Sequence, residues 1–575
     1  MDYIRNEKGY SLLISLIIVL LFTVLGVSLI GMTLNGVQKN ETREDIIQST
    51  DFASKGIERI TAEINSDLNN VVNGPGLSTH DFAIEFNRIV DSYSCLEDTE
   101  NQESEIIPYS VCIESSYPVE TTFVKGTNPA LNLSLRKNIK FKSIGRSGLV
   151  EKPLYTTINI GASEYPEVLN YAVGAYKVPP ELVKTNCDPT MIEKCFEKIE
   201  GEGNLFLNGG LSIEGDIKVD TNLITVDKGL YEEGSTNSSF ASVLPQVNSD
   251  RKLFLGGKMY KYTVPSGFNY RNYVNTTSFS TNFTPKDDIN SLFYNGEGPE
   301  KISKSIDIKP INFIEKSTSM TLNKNTANTF RVNNSTLSNV SRAQNTFLVL
   351  KKDNSHDMEN PIFTFSGTNT FGKANPASGK FATKGTININ GAATKFYDGA
   401  YINGNLNITG SSTISGVVYV NGELTIKNAQ LRSDVIFYVT GNVTIEKSEI
   451  LGINQVNRSS SLIIFAKGDI NFKFISSQEN EPSELKGYFY SEKTLEIYGI
   501  YSNIKINGGV SARKIILNSL RGDWYWFFPP NSTEKSQSRL QIIYDEDIIK
   551  NFSALQAEPW IDSISPPIEI ERSFK

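Results

Sequence analysis

Residues Tyr10 to Leu34 read YSLLISLIIVLLFTVLGVSLIGMTL, 25 positions without a charge. As a helix rising about 1.5 Å per residue, such a run is long enough to cross a hydrocarbon layer of about 30 Å. It starts at residue 10, where burial in a soluble core is a poor alternative. A cleaved secretory signal does not fit either, because the apolar run is too long and no A-x-A-like site follows it before Gln38 and Lys39. Arg5 and Lys8 precede the run, and the neutral-to-acidic stretch QKNETRED follows it. The positive-inside tendency therefore places the remainder of the chain outside the cell.

The helix is expected to continue past the span. From Ile46 to Val71, apolar residues recur at Ile47, Ala53, Ile57, Ile60, Ile64, Leu68 and Val71, the three-and-four spacing of one helix face. Asn73-Gly74-Pro75-Gly76 stops it. One helix from Tyr10 to Asn70 would be on the order of 90 Å long.

The rest of the 575 residues exceeds what one small core requires, so at least two packed regions are expected. Basic and acidic residues number 56 and 64 with no Lys/Arg block, which argues against a nucleic-acid partner. The two histidines, His80 and His356, stand apart from any nucleophile or metal-type cluster, and neither a metal nor another cofactor is expected. The cysteines form two near pairs, Cys95 with Cys112 and Cys187 with Cys195, read as two local disulfides in an oxidising compartment, with four buried thiols as the other reading. Neither pair has the CxxC spacing of a zinc or redox site.

The clearest internal order is a seven-residue unit: TKGTINI from Thr383, INGNLNI from Ile402, VNGELTI from Val420, VTGNVTI from Val439 and AKGDINF from Ala466, with weaker copies SEKTLEI from Ser491 and SARKIIL from Ser511. The spacing is near 19 residues with two longer loops. In the strong copies a Gly marks a turn, and alternating apolar residues such as Leu406, Ile408, Leu424 and Ile426 then give a short strand one buried side. Such strands stacked in register form a β-solenoid, which folds as a unit because no single rung buries its own apolar side. An antiparallel sandwich is the competing reading. LNGGLSI from Leu207 and IEGDIKV from Ile213 look like earlier copies, and YAVGAY around Gly174 is a candidate opening of the series.

The expected organisation is α+β: leader 1–9, transmembrane and spine helix 10–76, a mixed β-rich region 77–165, a first solenoid part 166–230, a Ser/Thr/Asn-rich excursion 231–382, solenoid repeats 383–520 and a C-terminal cap 521–575. Within the last segment RGDWYWFFPP concentrates Trp524, Tyr525, Trp526 and Phe527. These aromatics suit either a hydrophobic end-cap or a surface that stacks on sugars or a partner. The acidic residues Asp398, Glu423, Asp434 and Asp469 do not recur at one repeat position, which weighs against a polysaccharide-degrading enzyme of the β-helix kind.

The junction KGYSLLISLIIVLL resembles the prepilin peptidase site of type IV pilins and pseudopilins. STDFASKGIERITAEI, the N-G-rich repeats and LQIIYDEDII from Leu540 are similar to stretches of PilX-type minor pilins with bactofilin-like bodies. The resemblance implies processing at Lys8-Gly9-Tyr10 by prepilin peptidase, with cleavage after Gly9 and N-methylation of Tyr10. It further implies other pilin subunits as partners, a single membrane span before assembly, and an extracellular body with a surface or glycan ligand in an adhesive role. Most major pilins carry Glu five residues into the mature chain, where this sequence has Ile14. That departure, with the size of the body, points to a non-enzymatic minor subunit at a tip or in priming. The alternative is a membrane-anchored surface β-helix protein that binds or degrades polysaccharide.

Overall fold

The computed structural model describes residues 7–72, 77–93, 95, 108–119, 133–162, 165–184, 195–233, 236–279, 281–303, 311, 313, 328–332, 336–342, 348–352, 361–372, 381–397, 399–454, 460–476, 480–523, 537–555, 560–561 and 564–574. The chain divides into two compact units, Met1–Ser163 with Trp560–Lys575, and Glu164–Pro559.

The first unit begins with helix α1, Glu7–Val72, 66 residues and about 100 Å long. The periodic apolar face foreseen in its second half is buried: Ala53, Ile57, Ile60, Ile64 and Leu68 share a core with Ile139, Phe141, Leu154, Ile158 and Ile160. Those partners come from an antiparallel sheet of β1 (Tyr109–Pro118), β2 (Arg136–Ser147), β3 (Val150–Ala162) and β4 (Ile564–Phe574), paired in that order. Each fully buried isoleucine contributes about 2 kcal/mol of transfer free energy, which is why this half is held while the first half is not. The helix approaches the sheet most closely at Gly145, where a Cβ would lie 1.8 Å from the Ser49 carbonyl oxygen. Helix α2 (Thr79–Ser92) adds Phe82, Phe86 and Ile89 to the same core, and Ser78 caps it by accepting from the Asp81 N–H at 3.1 Å.

The last strand of the chain completes this sheet. Ile564 of β4 lies opposite Ala162 of β3, so everything between them is inserted at the junction of two neighbouring strands. The expected 521–575 cap is thereby corrected, since its final strand belongs to the first unit.

The second unit is a coil of parallel strands in three stacks. The first contains 387–390, 406–409, 424–427, Val443–Glu446, Ile470–Lys473, 495–497 and 515–519, each in register with the next. A second stack and a third close each turn around one continuous apolar core. The seven-residue copies mark successive turns: Thr383 pairs with Ile402, Ile402 with Val420, Val420 with Val439, Val439 with Ala466, and Ala466 with Ser491.

The order of turns in space is not the order in the chain. The third stack runs Asn328–Val332, Leu348–Lys352, Phe381–Lys384, Ala400–Asn403, 418–420, 435–439, Leu462–Ala466, 487–491, 508–512, then Val173–Ala175, Ile217–Val219, Lys252–Leu255 and Glu300–Ile302. At about 4.8 Å per step this stack is about 58 Å long. The chain thus joins the coil in its middle, builds outward to residue 302, and resumes with residue 328 at the opposite end before coiling back to where it began. Ile515–Ser519 seats on Leu205–Gly209, and Leu540–Ile543 fills the second-stack gap between 504–507 and Ser212–Glu214.

Two expectations change here. The 231–382 segment is no excursion, because 246–247, 252–255, 259–262, 300–302, 328–332, 348–352 and 362–371 all pair in parallel within the coil. LNGGLSI and IEGDIKV are not copies in one phase: Leu207 lies in the first stack and Ile213 in the second. The true counterparts of Asn405-Leu406-Asn407-Ile408 are Asn204-Leu205-Phe206-Leu207 and Asn222-Leu223-Ile224-Thr225. Phe206 and Ile224 in place of a polar third residue hid them.

Candidate membrane and assembly segment

The longest uncovered apolar stretch among the described residues lies in the first half of α1. Leu16, Leu20, Phe22, Val27, Ile30 and Leu34 are all exposed, and no described residue of the protein covers Leu12 to Leu34. It is the one helix among the described residues long and apolar enough to cross a membrane. Its polar side chains suit that setting: the Thr23 hydroxyl donates to the Val19 carbonyl, and Thr33 to that of Leu29 at 2.8 Å. A hydroxyl satisfied within its own helix leaves no donor facing hydrocarbon.

The boundary between the free and packed halves falls at Asp45. The Ser147 hydroxyl, at the tip of the β2–β3 turn, lies 2.9 Å from Asp45 Oδ1 and 2.9 Å from Gln48 Oε1. Beyond that point Ser49 is buried, whereas Gln38 to Glu44 are exposed and include the charged Lys39, Glu41, Arg43 and Glu44. One continuous helix therefore carries an uncovered apolar half and a half fixed to a sheet.

Lys8, Gly9 and Tyr10 lie within α1 as backbone, so the expected processing junction is helical here. Ile14 is exposed on the same helix. Cys95 and Cys112 are bridged, with an S–S distance of 2.09 Å, tying the segment after α2 to β1. Cys195 is also disulfide-bonded, and Cys187, its expected partner, lies outside the described residues. Trp524, Tyr525, Trp526 and Phe527 lie outside them as well, as do His356 and Asp398. His80 is exposed on α2. Arg521, the first residue of the RGD triplet, is buried, with Nε donating to the Gly210 carbonyl at 3.0 Å and Nη2 to Gln246 Oε1 at 2.7 Å. It holds the coil together and is not a surface motif.

The acidic residues need one correction. Glu423 and Asp469 do share a repeat position, immediately before the first-stack strand, with Asn405 and Asn442. That position is a backbone-capping ladder: Asn405 Oδ1 accepts the Glu423 N–H at 2.9 Å, Asn442 the Asp469 N–H at 3.0 Å, and Asp469 the Thr494 N–H at 3.0 Å. Asn204 and Asn222 continue it, accepting from the Asn222 and Lys258 N–H groups at 3.1 Å each. A short side-chain acceptor satisfies the turn donor that no strand partner reaches. Spacings of 27 and 25 residues, in place of the usual 18 or 19, obscured the alignment in sequence. Among the described residues no group of three His, Cys, Asp or Glu could hold a metal.

No family model and no curated protein matches the chain. Among solved structures, the competence-associated pilin ComZ from Thermus thermophilus is similar over 92% of this chain and 98% of its own, at 12% identity and a TM-score of 0.26. A TM-score that low does not establish a common fold.

Proposed function

We propose that the chain is a non-enzymatic minor subunit of a type IV pilus or related filament, acting at the tip or in priming and displaying the coil outside the cell. The observation that carries this reading is the division of α1. An uncovered apolar half suits first a bilayer and then the apolar helices of neighbouring subunits, and a sheet-bound half makes the helix and its globular base one rigid piece. Prepilin peptidase would cleave after Gly9, leaving Tyr10 as the methylated first residue and removing the charged leader that holds the helix in the membrane. Ile14 supplies no carboxylate for a neighbour's terminal amine, which favours a position that needs no such neighbour. The capping role of Asp469, at the repeat position it shares with Glu423, favours a structural coil over a catalytic one, and a surface or glycan ligand fits an adhesive tip.

Mass spectrometry of the N-terminus, in cells with and without prepilin peptidase, tests the assignment. The expected result is a chain beginning at methylated Tyr10 in the first and intact Met1 in the second. Intact Met1 in both would leave a membrane-anchored surface protein.

A further inference from the structure

Where the two halves of the coil meet, a buried amine and a buried carboxyl lie near each other without forming an ion pair. Lys514 directly precedes the first-stack strand of the last turn and is 6% exposed; Glu496, on the preceding turn, is also 6% exposed. Among the described residues neither has an opposite charge within ion-pair distance. Glu496 accepts hydrogen bonds from the Tyr270 and Tyr498 hydroxyls. The Lys514 amine donates to Asn275 Oδ1 at 2.8 Å. Asn275 is fixed there because its own N–H ends helix α3 (Tyr270–Val274), donating to the Arg271 and Tyr273 carbonyls. A buried lysine amine that feels the field of a buried carboxyl thus contacts the side-chain amide of Asn275, itself an exposed residue.

We propose that Lys514 and Asn275 condense into an intramolecular isopeptide bond. Lys514 Nζ, as the neutral amine, attacks Asn275 Cγ through its lone pair, and the Cγ–Nδ2 bond breaks. Nδ2 leaves as ammonia, taking the proton that the attacking nitrogen gives up. Nothing is oxidised or reduced, and no co-reactant is consumed. Burial favours the reactive, neutral form of the amine, since desolvation lowers Lys514 from its ordinary value and raises the Glu496 carboxyl. Glu496 is a positioning residue: burial favours its neutral form, against the opposing hydrogen bonds from Tyr270 and Tyr498, and a neutral carboxyl does not draw the lysine into an ion pair that would hold it protonated. The bond would fasten the earlier half of the coil, through residue 275, to the later half, through residue 514, across the seam where strands distant in sequence are joined only by hydrogen bonds and packing.

The test is intact-mass and tryptic-peptide analysis of the full chain extracted in detergent, with disulfides reduced. The bond predicts a mass short by one ammonia, no tryptic cleavage after Lys514, and a branched peptide containing Asn275. Asn275→Ala, at an exposed position, should restore the full sequence mass and cleavage after Lys514. Wild-type protein with its full sequence mass, or a lost ammonia that maps to any other pair, would overturn the proposal and leave the contact an ordinary hydrogen bond.

Discussion

The two halves of the coil share one backbone plan and differ in what stands outside it. Along the first stack the outward residue is Asn388, Asn407, Thr425, Thr444 and Asn471 in the later half, all partly exposed. Continuing through the seam it becomes Ile516, Phe206, Ile224 and Tyr260. This second set packs with Leu230 of the Lys228–Ala241 hairpin and with Tyr270 and Tyr273 of α3. Covering elements allow apolar outward residues; bare turns require polar ones. One corner away the change is of another kind: the neutral Asn403, Asn421 and Thr440 give way to the charged Lys467, Glu492 and Arg513, of which Glu492 and Arg513 are buried.

The largest effect expected from that contrast is a difference between truncations at equivalent positions. Phe206→Ala removes a fully buried ring from beneath the hairpin and α3, and should cost about 3–5 kcal/mol. Thr425→Ala, at the same outward position on a bare turn, should cost less than about 1 kcal/mol. Denaturant melts of the two variants measure this directly, and equal losses would mean that the hairpin and α3 do not cover the stack.

A smaller effect comes from the covered corner and depends on pH. Burial pushes the Glu492 carboxyl up to about 8 from an ordinary 4.5, with Lys467 and Arg513 on the flanking turns opposing the shift, and the Tyr176 and Tyr490 rings are buried nearby. Its folded-state value is raised, so its contribution is fully present below about 4.5 and is lost as pH rises toward 8. Glu492→Gln should therefore leave the thermal midpoint unchanged at pH 4 and raise it at pH 8, by on the order of 2 kcal/mol in stability. A variant that is destabilised equally at both pH values would contradict that environment.

The smallest effect lies at the corner following each first-stack strand, where the backbone is left-handed at Gly391, Gly410, Asn428, Lys447 and Phe474, with φ of 56°, 65°, 50°, 48° and 52°. Lys447 is exposed, so Lys447→Gly relieves the Cβ strain without removing buried contacts. It should stabilise the coil by up to about 1 kcal/mol, read as a small rise in the unfolding midpoint. No change would mean that the later corners have adapted to side chains.

The comparison also marks how far a sequence can be read. The later half was legible because bare turns keep the Asn-Gly corner and the polar-apolar alternation, both visible at a spacing near 19. The earlier half was not: Phe206 and Ile224 erase the alternation, and 36 residues separate Leu223 from its partner Met259. The aromatic run at 524–527 drew attention by composition alone, whereas the contact between Lys514 and Asn275 gave no signal, its residues being 239 positions apart.

By itself the sequence determined the uncovered apolar span, the buried face of α1, the Cys95–Cys112 proximity and the period of the coil. These are properties of neighbours along a chain, where helix and strand periodicities fix which side is apolar. Only the tertiary structure decided that the coil is inserted between β3 and β4, that its turns are joined out of chain order, and that Leu540–Ile543 completes a turn begun near residue 173. Parallel pairing rewards any strand with the right alternation and edge, so local pattern specifies that a strand will stack but not on which neighbour. That choice is made by side chains meeting across hundreds of residues, as where Arg513 Nε donates to Glu202 Oε1 at 2.8 Å.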